Sequence, residues 1–411
     1  MVKPGYKQTE VGVIPQEWEV KKLKDIADFI GGGTPSRDKS EYWQGNIPWI
    51  SSSDISLNTI HSLNINRFIT ERAINESATQ ICPKDTILVV SRVGVGKIGI
   101  APTELCTSQD FTNIVLRKNN IEYVARALQP ILQSMVNMSQ GTSIKGITTD
   151  EVKNLAILIP PAEEQDRISE AILNAEKLVA SLEKQISKKK AIKQGAMQEL
   201  LTGKKRLAGF TGEITYKPLR TLCTTFADGD WIESKDQSCD GIRLIQTGNV
   251  GNGRYIDKQD KQRFISKATF ERLHCLEIFE GDVLISRLPE PAGRACILPA
   301  SNKRRITAVD CTVVRFSSYN PVLFVAYSQT RQYQEKVDMA MAGSTRQRIS
   351  RKELGEVLVP VFPTIDEQNA VAAIFSHMDG EIVALEQKLE KYRQVKQGMM
   401  QQLLTGKIRI L

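Results

Sequence analysis

The sequence predicts an α/β (α+β) fold in two copies, in which two globular domains are each followed by a long α-helix. The first observation is a pair of segments, KQGAMQELLTGK from Lys193 and KQGMMQQLLTGK from Lys396, identical at ten of twelve positions. The second is that each segment ends about forty residues rich in strong helix formers. The third is that a similar order of short strand patterns precedes both stretches. Repetition at a fixed spacing predicts two copies of one structural unit.

Short β-branched runs between glycine and proline signals predict the strands of both globular domains. In the first half, KDTILVVSRVGVGKIGIA at 84–101 contains two such runs, and a helix is predicted over 122–139. In the second half, EGDVLISRLPEPAGRACIL at 280–298 has the same order, and a helix is predicted over 321–341. A glycine loop, a short helix and a last strand follow in each half. The elements therefore repeat although their side chains differ.

Two proline-free segments, 162–201 and 364–404, predict the long helices. Thr364 and Glu367 form a capping-box pattern before the second, and Thr-Gly-Lys closes both. Apolar residues recur at alternating spacings of four and three in matching register, at Ile168, Ile172, Ala175, Val179, Leu182 and Ile186, and at Val371, Phe375, Met378, Ile382, Leu385, Leu389 and Tyr392. This heptad pattern predicts an antiparallel coiled coil of pseudo-two-fold character. The alternative is that each helix packs only on its own domain.

These signals divide the chain into four segments. We expect a first domain at 1–158, a first long helix at 159–207, a second domain at 208–361 and a second long helix at 362–411.

Composition indicates an ordinary globular protein with a basic surface. The chain of 411 residues is 41% hydrophobic and 25% charged, with a net charge of +8. A basic chain suits a polyanionic partner, although many soluble proteins are this basic without one. The sequence has neither a membrane-spanning run nor a signal-peptide core, which predicts a cytoplasmic protein without a membrane partner. Seven cysteines without a CxxC pattern and three scattered histidines argue against a metal site or disulfides.

Catalytic signatures are missing from the sequence. The GVGK stretch at 94–97 resembles part of a phosphate-binding loop, but Ser91 and Ile98 break the full pattern. No G-x-S-x-G nucleophile pattern occurs. We therefore expect a chain that performs no covalent chemistry and binds no cofactor itself.

Basic and hydroxyl residues occupy glycine- or proline-rich loops at similar places in both halves. These side chains suit phosphate oxygens and base edges of double-stranded DNA. Taken singly, residues of these types more often lie on a solvated surface or pack in a core than contact DNA, so the prediction rests on their recurrence in both halves. The predicted DNA-binding residues are Arg92, Lys97, Ser143 and Lys145 in the first half, and Arg287, Arg294, Thr345, Arg346, Gln347 and Arg348 in the second.

The chain resembles the specificity subunit of Type I restriction-modification systems. The resemblance rests on YKQTEVGVIPQEW at the start, GGGTPSRDKSEYWQGNIPWISSSDI at 31–55, IPPAEEQDRI at 159–168 with FPTIDEQNAV at 362–371, and the two KQG segments. It implies two target-recognition domains that each read one half of a split DNA site, with the helices setting the distance between them. The second half lacks the motif found at 31–55, which implies an asymmetric site.

The resemblance also implies partners. Subunits of this kind bind two modification subunits, which methylate adenine at N6 with S-adenosylmethionine after flipping the base out of the duplex. Restriction subunits that use ATP and Mg²⁺ then join, so these cofactors are expected on the partners. The predicted partner-binding residues are Gln165, Gln368, Met197, Leu200, Leu201, Met400, Leu403 and Leu404. Two other readings remain open: the recognition subunit of a fused bipartite restriction-methylation enzyme, and a coiled-coil scaffold without DNA binding.

Overall fold

The chain folds into two compact units, each containing parts of both long helices. Unit 1 comprises Met1–Ser181 and Leu389–Leu411, and unit 2 comprises Leu182–Lys388. The computed structural model describes residues 3–56, 59–138, 146–289, 291–341 and 348–410.

Unit 1 is a mixed α/β assembly of short strands with one long helix leaving it. Its strands are β1 (Tyr6–Thr9), β2 (Gly12–Pro15), β3 (Glu19–Lys22), β4 (Ala27–Gly31), β5 (Ile47–Ile50), β6 (Phe68–Ile69), β7 (Ile81–Cys82), β8 (Ile87–Val90), β9 (Ile98–Ile100), β10 (Leu105–Thr107), β11 (Phe111–Leu116) and β12 (Ala156–Ile159). Its helices are α1 (Leu23–Ile26), α2 (Glu71–Asn75), α3 (Ile121–Met138), α4 (Thr149–Lys153) and α5 (Ala162–Leu200), whose last part belongs to unit 2.

Two four-stranded sheets form the centre of unit 1. One has the order β4-β11-β8-β9 and is antiparallel throughout, and the other has the order β6-β5-β10-β7 with β5 and β10 parallel. All four residues of β8 are buried, as expected for a short continuous apolar run. The sheets therefore share a core that holds the connecting loops at fixed positions.

Unit 2 has the corresponding elements in the same order. Its strands are β13 (Thr215–Pro218), β14 (Cys223–Asp228), β15 (Gln237–Ser238), β16 (Ile242–Ile245), β17 (Arg263–Ile265), β18 (Glu277–Ile278), β19 (Val283–Ser286), β20 (Ala295–Ile297), β21 (Arg305–Thr307), β22 (Cys311–Phe316) and β23 (Leu358–Val361). Its helices are α6 (Lys267–Arg272), α7 (Pro321–Ser328), α8 (Arg331–Met341), α9 (Arg351–Glu356) and α10 (Ile365–Leu403), whose last part belongs to unit 1.

The sheets of unit 2 reproduce the strand order of unit 1. The order β14-β22-β19-β20 matches β4-β11-β8-β9, and β17-β16-β21-β18 matches β6-β5-β10-β7 with one added edge strand, β15. The parallel pair also recurs, between β16 and β21. The two units therefore share one strand order.

One predicted helix is divided in the structure. We expected a single helix over 321–341, but α7 ends at Ser328 and α8 begins at Arg331. The Thr330 hydroxyl accepts from the backbone N–H of Tyr333 at 3.3 Å and donates to the carbonyl of Tyr327 at 2.7 Å. A side chain that bonds to the backbone on both sides competes with continuous helical bonding, and a break results.

The two long helices are each 39 residues, close to the predicted forty. At 1.5 Å per residue, each is about 58 Å long. The predicted heptad positions are largely buried, with Ile168, Ile172 and Phe375 fully so. Gly203 and Gly406 have φ values of +75° and +69°, which is the left-handed conformation that ends a helix at glycine. The Thr-Gly-Lys signal therefore terminates both helices as predicted.

The repeated LLTGK segments insert into hydrophobic cores. Leu403 and Leu404 pack in the core of unit 1 with Trp18 and Ile168. In unit 2, the core contains Met197, Leu200 and Leu201 from the first copy of the segment. Each core is thus completed by the C-terminal end of one long helix.

An arginine behind each LLTGK segment binds a buried glutamate. In unit 2, Arg206 donates two hydrogen bonds to Glu367, from Nε at 2.7 Å and from Nη2 at 2.6 Å, and Glu367 is 1% exposed. In unit 1, Arg409 binds Glu164 in the same way, at 3.1 and 2.8 Å. The indole of Trp18 also donates to Glu164 at 2.9 Å. We call these two contacts the arginine clasps.

The arginine clasps should contribute measurably to stability. Replacing Arg206 with alanine leaves the Glu367 carboxylate buried without its partner, which costs about 3 kcal/mol of unfolding free energy. We expect Arg206→Ala to lower the midpoint of urea unfolding followed by circular dichroism, and Arg409→Ala to act similarly in unit 1.

Arg167→Ala is the matched control. Arg167 lies 3.9 Å from Glu163, and both side chains are largely exposed, so its loss should change stability by less than about 0.5 kcal/mol. Equal effects of Arg167→Ala and Arg206→Ala would contradict the stabilising role of the clasp.

Candidate nucleic-acid interface

Several loops of unit 1 meet at one end of its sheets. Backbone hydrogen bonds join Ser108 to Ile50 at 2.9 Å and Ile147 to Ser91 at 2.7 Å, which connect loops from distant parts of the sequence. We call this set, residues 32–36, 51–54, 91–97, 108–110 and 146–149, the loop end of unit 1.

Unit 2 brings the corresponding loops together through the same bonds. The N–H of Ala308 donates to Ile245 at 2.9 Å, and that of Ile349 donates to Arg287 at 3.2 Å. The loop end of unit 2 comprises residues 229–233, 246–250, 287–289, 291–294, 308–310 and 348–351. The two loop ends therefore share a backbone framework.

Lys97 and Arg294 fix these loops from equivalent positions. The Lys97 ammonium donates to the carbonyl of Ser52 at 2.9 Å. The Arg294 guanidinium donates to five backbone carbonyls at 2.7 to 3.0 Å, those of Thr247, Val250, Leu288, Pro289 and Pro291. Both were predicted to contact DNA, and in the structure Lys97 makes one and Arg294 five hydrogen bonds to backbone carbonyls of the loop end. Their charges are therefore used to order backbone rather than left free on the surface.

Arg92 and Arg287 each come directly after a serine, but they do not occupy equivalent positions in the two units. Phe111 and Cys311 are the first residues of the equivalent strands β11 and β22. Phe111 pairs with Val90, whereas Cys311 pairs with Ser286. Ser91 is therefore the counterpart of Arg287, and Arg92 lies one residue further on. Because a shift of one residue reverses the face of a strand, the side chain of Arg92 is exposed and that of Arg287 is buried.

Arg287 belongs to a charged cluster in the loop end of unit 2. Its Nη2 donates to the carbonyl of Val309 at 2.7 Å, and its guanidinium lies 3.4 Å from Asp228 and 4.0 Å from Asp310. A side chain that is 5% exposed offers very little surface for direct contact with a ligand. The expected DNA contact of Arg287 is thus replaced by an internal one that supports the loops.

Two further arginines complete the charged cluster. Arg348 donates to Asp310 at 3.1 Å, and Arg351 lies 3.9 Å from Asp228. The cluster therefore consists of Asp228, Arg287, Asp310, Arg348 and Arg351. Sequence reasoning identified Arg348 but missed Asp310, Asp228 and Arg351. The acidic residue directly before β22 was the available signal, because a carboxylate in a basic loop needs a nearby cation.

Two of the equivalent positions in unit 1, Ser91 for Arg287 and Thr149 for Arg351, carry neutral hydroxyl groups. Thr112 donates to Ser91 at 3.2 Å, its hydroxyl lies 3.4 Å from that of Thr149, and Ser91 donates to the carbonyl of Asp110 at 3.1 Å. The same framework thus holds a hydroxyl network in one unit and an ionic network in the other.

Two tryptophans, Trp49 in β5 beside the loop end of unit 1 and Trp231 in the loop end of unit 2, differ in exposure. Trp49 is buried, with the guanidinium of Arg67 stacked over its ring at 4.7 Å, and Arg67 also pairs with Asp54. Trp231 is 69% exposed, and its indole N–H donates to Glu233 at 3.4 Å. Trp231 is therefore a surface residue, whereas Trp49 belongs to the core.

One acidic group at the loop end of unit 2 has a perturbed pKa. Burial raises the pKa of Asp230, and the hydrogen bond from the N–H of Leu276 at 3.0 Å opposes that shift. The carboxylate therefore serves to anchor the backbone beside Trp231.

The remaining predicted DNA-binding residues lie outside the described residues. They are Ser143, Lys145, Thr345, Arg346 and Gln347.

The predicted partner-binding residues are mostly internal. Gln165 and Gln368 are 3% and 5% exposed, and each accepts from the N–H of the asparagine before α3 or α7, at 3.0 and 3.1 Å. The core positions are 7% exposed or less at Met197, Leu200, Leu201, Leu403 and Leu404, while Met400 is partly buried against the core of unit 1. These side chains thus build the units and present little surface to a second protein.

The lysine run at 188–190 is engaged with the second long helix. Lys189 and Lys190 pair with Glu381 and Glu386 at 2.9 and 2.6 Å, and Lys193 pairs with Asp379 at 2.6 Å. Among the described residues, no helix is both long and apolar enough to cross a membrane.

Comparison with known proteins relates the chain to DNA specificity proteins. Residues 15–193 match the family model of the Type I restriction modification DNA specificity domain, which includes the loop end of unit 1. The MjaIX specificity subunit of Methanocaldococcus jannaschii is 34% identical over 184 residues, 44% of this chain and 43% of that protein. The chain therefore aligns with less than half the length of this relative.

Two other similarities extend over the whole chain. The MjaVIII specificity subunit of the same organism is 23% identical over 97% of this chain and 94% of its own length. A crystal structure of the Type I S subunit from M. genitalium has a TM-score of 0.60 at 14% identity, covering 98% of both chains. At 14% identity, the similarity to the M. genitalium structure concerns the fold alone.

The loop-ordering role of Arg294 can be measured by hydrogen–deuterium exchange. Arg294→Lys keeps the charge but removes the planar fork that reaches several carbonyls. We expect faster amide exchange in peptides covering 246–250 and 287–294, because loops with fewer anchoring bonds open more often. Lys97→Met should have a smaller effect on 51–54. Arg92→Ala, at an exposed position, is the control, and unchanged exchange in Arg294→Lys would refute the role.

Proposed function

We propose that this chain, which belongs to the family of Type I restriction-modification specificity subunits, selects the DNA sequence on which a modification complex acts. Specificity subunits are not catalysts, and we assign no reaction to this chain. The family domain at 15–193 contains the loop end of unit 1, and unit 2 offers a second loop end with the same framework. Double-stranded DNA is therefore the proposed ligand of both loop ends.

The observation that carries the proposal is one backbone framework that holds two different sets of side chains. A hydroxyl network lies at the loop end of unit 1, and a network of three arginines and two aspartates lies at that of unit 2. Base pairs differ in the hydrogen-bond donors and acceptors that they present, so different side chains select different bases. We therefore propose an asymmetric, bipartite site, with one half read by each unit.

We propose that the long helices pair as an antiparallel coiled coil between recognition domains at 1–158 and 208–361. The ion pairs support this arrangement, because Lys189 pairs with Glu381 whereas Lys193, further along α5, pairs with Asp379, nearer the start of α10. Five heptad positions outside the hydrophobic core clusters are also at most 9% exposed, which supports pairing of the helices: Val179, Leu182, Ile186, Ile382 and Leu389. The pair would set the spacing between half-sites and give the chain a pseudo-two-fold character.

The proposed partners are two modification subunits and the restriction subunits. Ile192 and Val395 occupy the same position in the two copies of the helix, and they are 49% and 44% exposed. Apolar side chains repeated at an exposed position are suited to contact two copies of one protein. S-adenosylmethionine, Mg²⁺ and ATP would be held by the partners.

A methylation map tests the proposed function. Plasmid DNA is sequenced from cells that express this chain together with its modification subunit, and from cells that lack this chain. We expect a split, asymmetric N6-methyladenine motif that depends on the chain. An assembled complex without any such motif would overturn the proposal and favour a scaffold role.

The docking position can be tested by counting bound subunits. Ile192→Glu and Val395→Glu each place a charge at one proposed contact, so each variant should bind one modification subunit instead of two in mass photometry. Val383→Glu is the control, because Val383 is 47% exposed on the same kind of helix but its counterpart is Ala180. Two bound subunits in the Ile192→Glu, Val395→Glu double variant would rule out this docking position.

A further inference from the structure

The charged cluster of unit 2 holds one arginine at the surface in a fixed orientation. We infer that Arg348 reads a guanine in the half-site of unit 2 and that Asp310 is its positioning residue. The inference rests on the proposed DNA-recognition function and specifies one contact within it.

Arg348 is both accessible and held. Its side chain is 45% exposed, and its Nη1 lies 3.1 Å from the Asp310 carboxylate. The next residue, Ile349, is fully buried, and its N–H donates to the carbonyl of Arg287 at 3.2 Å. The backbone and the guanidinium of Arg348 are therefore both anchored.

Asp310 is itself held in position by Arg287. The Arg287 guanidinium lies 4.0 Å from the carboxylate, and the Arg287 N–H donates to the carbonyl of Asp310 at 2.9 Å. Because Arg287 is buried and donates to the carbonyl of Val309, it restricts the movement of Asp310. Asp310 can thus hold Arg348 in one orientation before any ligand arrives.

The local charge favours a base edge over a phosphate. Three arginines and two aspartates leave the cluster with a net charge of only +1. An aspartate directly beside Arg348 repels a phosphate, whereas a guanine presents two neutral acceptors, O6 and N7. A planar guanidinium that is already oriented matches those two acceptors and loses little conformational entropy on binding.

Among the described residues of unit 1, this contact has no equivalent. The pairing of Ile147 with Ser91 makes Gly146 the counterpart of Arg348. A Cβ atom at Gly146 would lie 2.7 Å from the carbonyl oxygen of Ser91, so no side chain fits there without a shift. Asp110, the counterpart of Asp310, instead accepts from the hydroxyl of Ser108 at 3.1 Å. The contact should therefore affect only one half-site.

The experiment compares methylation motifs of the assembled complex. The wild-type chain, Arg348→Ala, Arg348→Lys and Asp310→Asn are each purified with the modification subunit, and methylation is measured on a library randomised at each position of the wild-type site. Arg348→Ala should lower discrimination at a single G·C pair of one half-site by roughly ten- to hundredfold, with the other half-site unchanged. Arg348→Lys should retain part of the discrimination at this G·C pair. Asp310→Asn should lower discrimination at the same pair by a smaller factor.

Arg220→Ala is the matched control. Arg220 pairs with Glu356 at 2.9 Å and is 59% exposed, but it lies near the start of β14, whereas Asp228 is at its end. This variant should keep the wild-type motif. The melting temperatures of all variants are compared, and Arg348→Lys provides the test if Arg348→Ala does not fold.

Three outcomes would overturn the inference. One is an unchanged motif in Arg348→Ala, and another is a uniform loss of methylation at every sequence, which indicates a phosphate contact. The third is relaxation at a position that is not G·C in the wild-type motif. Absence of any motif with the wild-type chain would instead overturn the proposed function, and this inference with it.

Discussion

The structure depends on the buried ends of its two long helices. Each long helix has 39 residues, and a helix in a protein gains most of its stability from tertiary packing of its apolar positions. Here the last turn of each helix becomes part of a globular core, and the arginine clasp closes that core over a buried glutamate. The position of each helix end is therefore fixed by the same contacts that stabilise the unit it enters. This explains why the LLTGK segment occurs twice: two cores need the same closing element.

Much of the fold was predictable because its signals are local. Glycine ends both long helices, and the heptad positions could be read from spacing alone. The buried strand β8 was visible as an apolar run. The use of LLTGK as an internal element was not predictable, because an apolar stripe looks the same whether it meets its own chain or another one. The division at Thr330 was also missed, since a hydroxyl that bonds to nearby backbone depends on conformation as well as on residue type.

The candidate interface was predicted in outline and not in detail. The sequence located the basic loops, but Ser91-Arg92 and Ser286-Arg287 suggested an equivalence that the strand register contradicts. A shift of one residue between partly similar strands leaves no trace in composition, and it decides which side chain is exposed. Arg294 was missed as a loop anchor for a similar reason, because its acceptors are backbone carbonyls that every residue type carries. The side chains that distinguish the two loop ends are those whose partners come from distant loops.

The loop anchors have a consequence for how such a surface can change over time. Lys97 and Arg294 hold the loops by main-chain oxygen atoms, and those atoms remain when the side chains around them are replaced. Substitutions at exposed positions of the loops can therefore alter which groups face outward while the loop conformation persists. In a scaffold of this kind, the chemistry of the surface can change while the stability of the loops is kept. Single mutations can therefore give new binding preferences without producing variants that fail to fold.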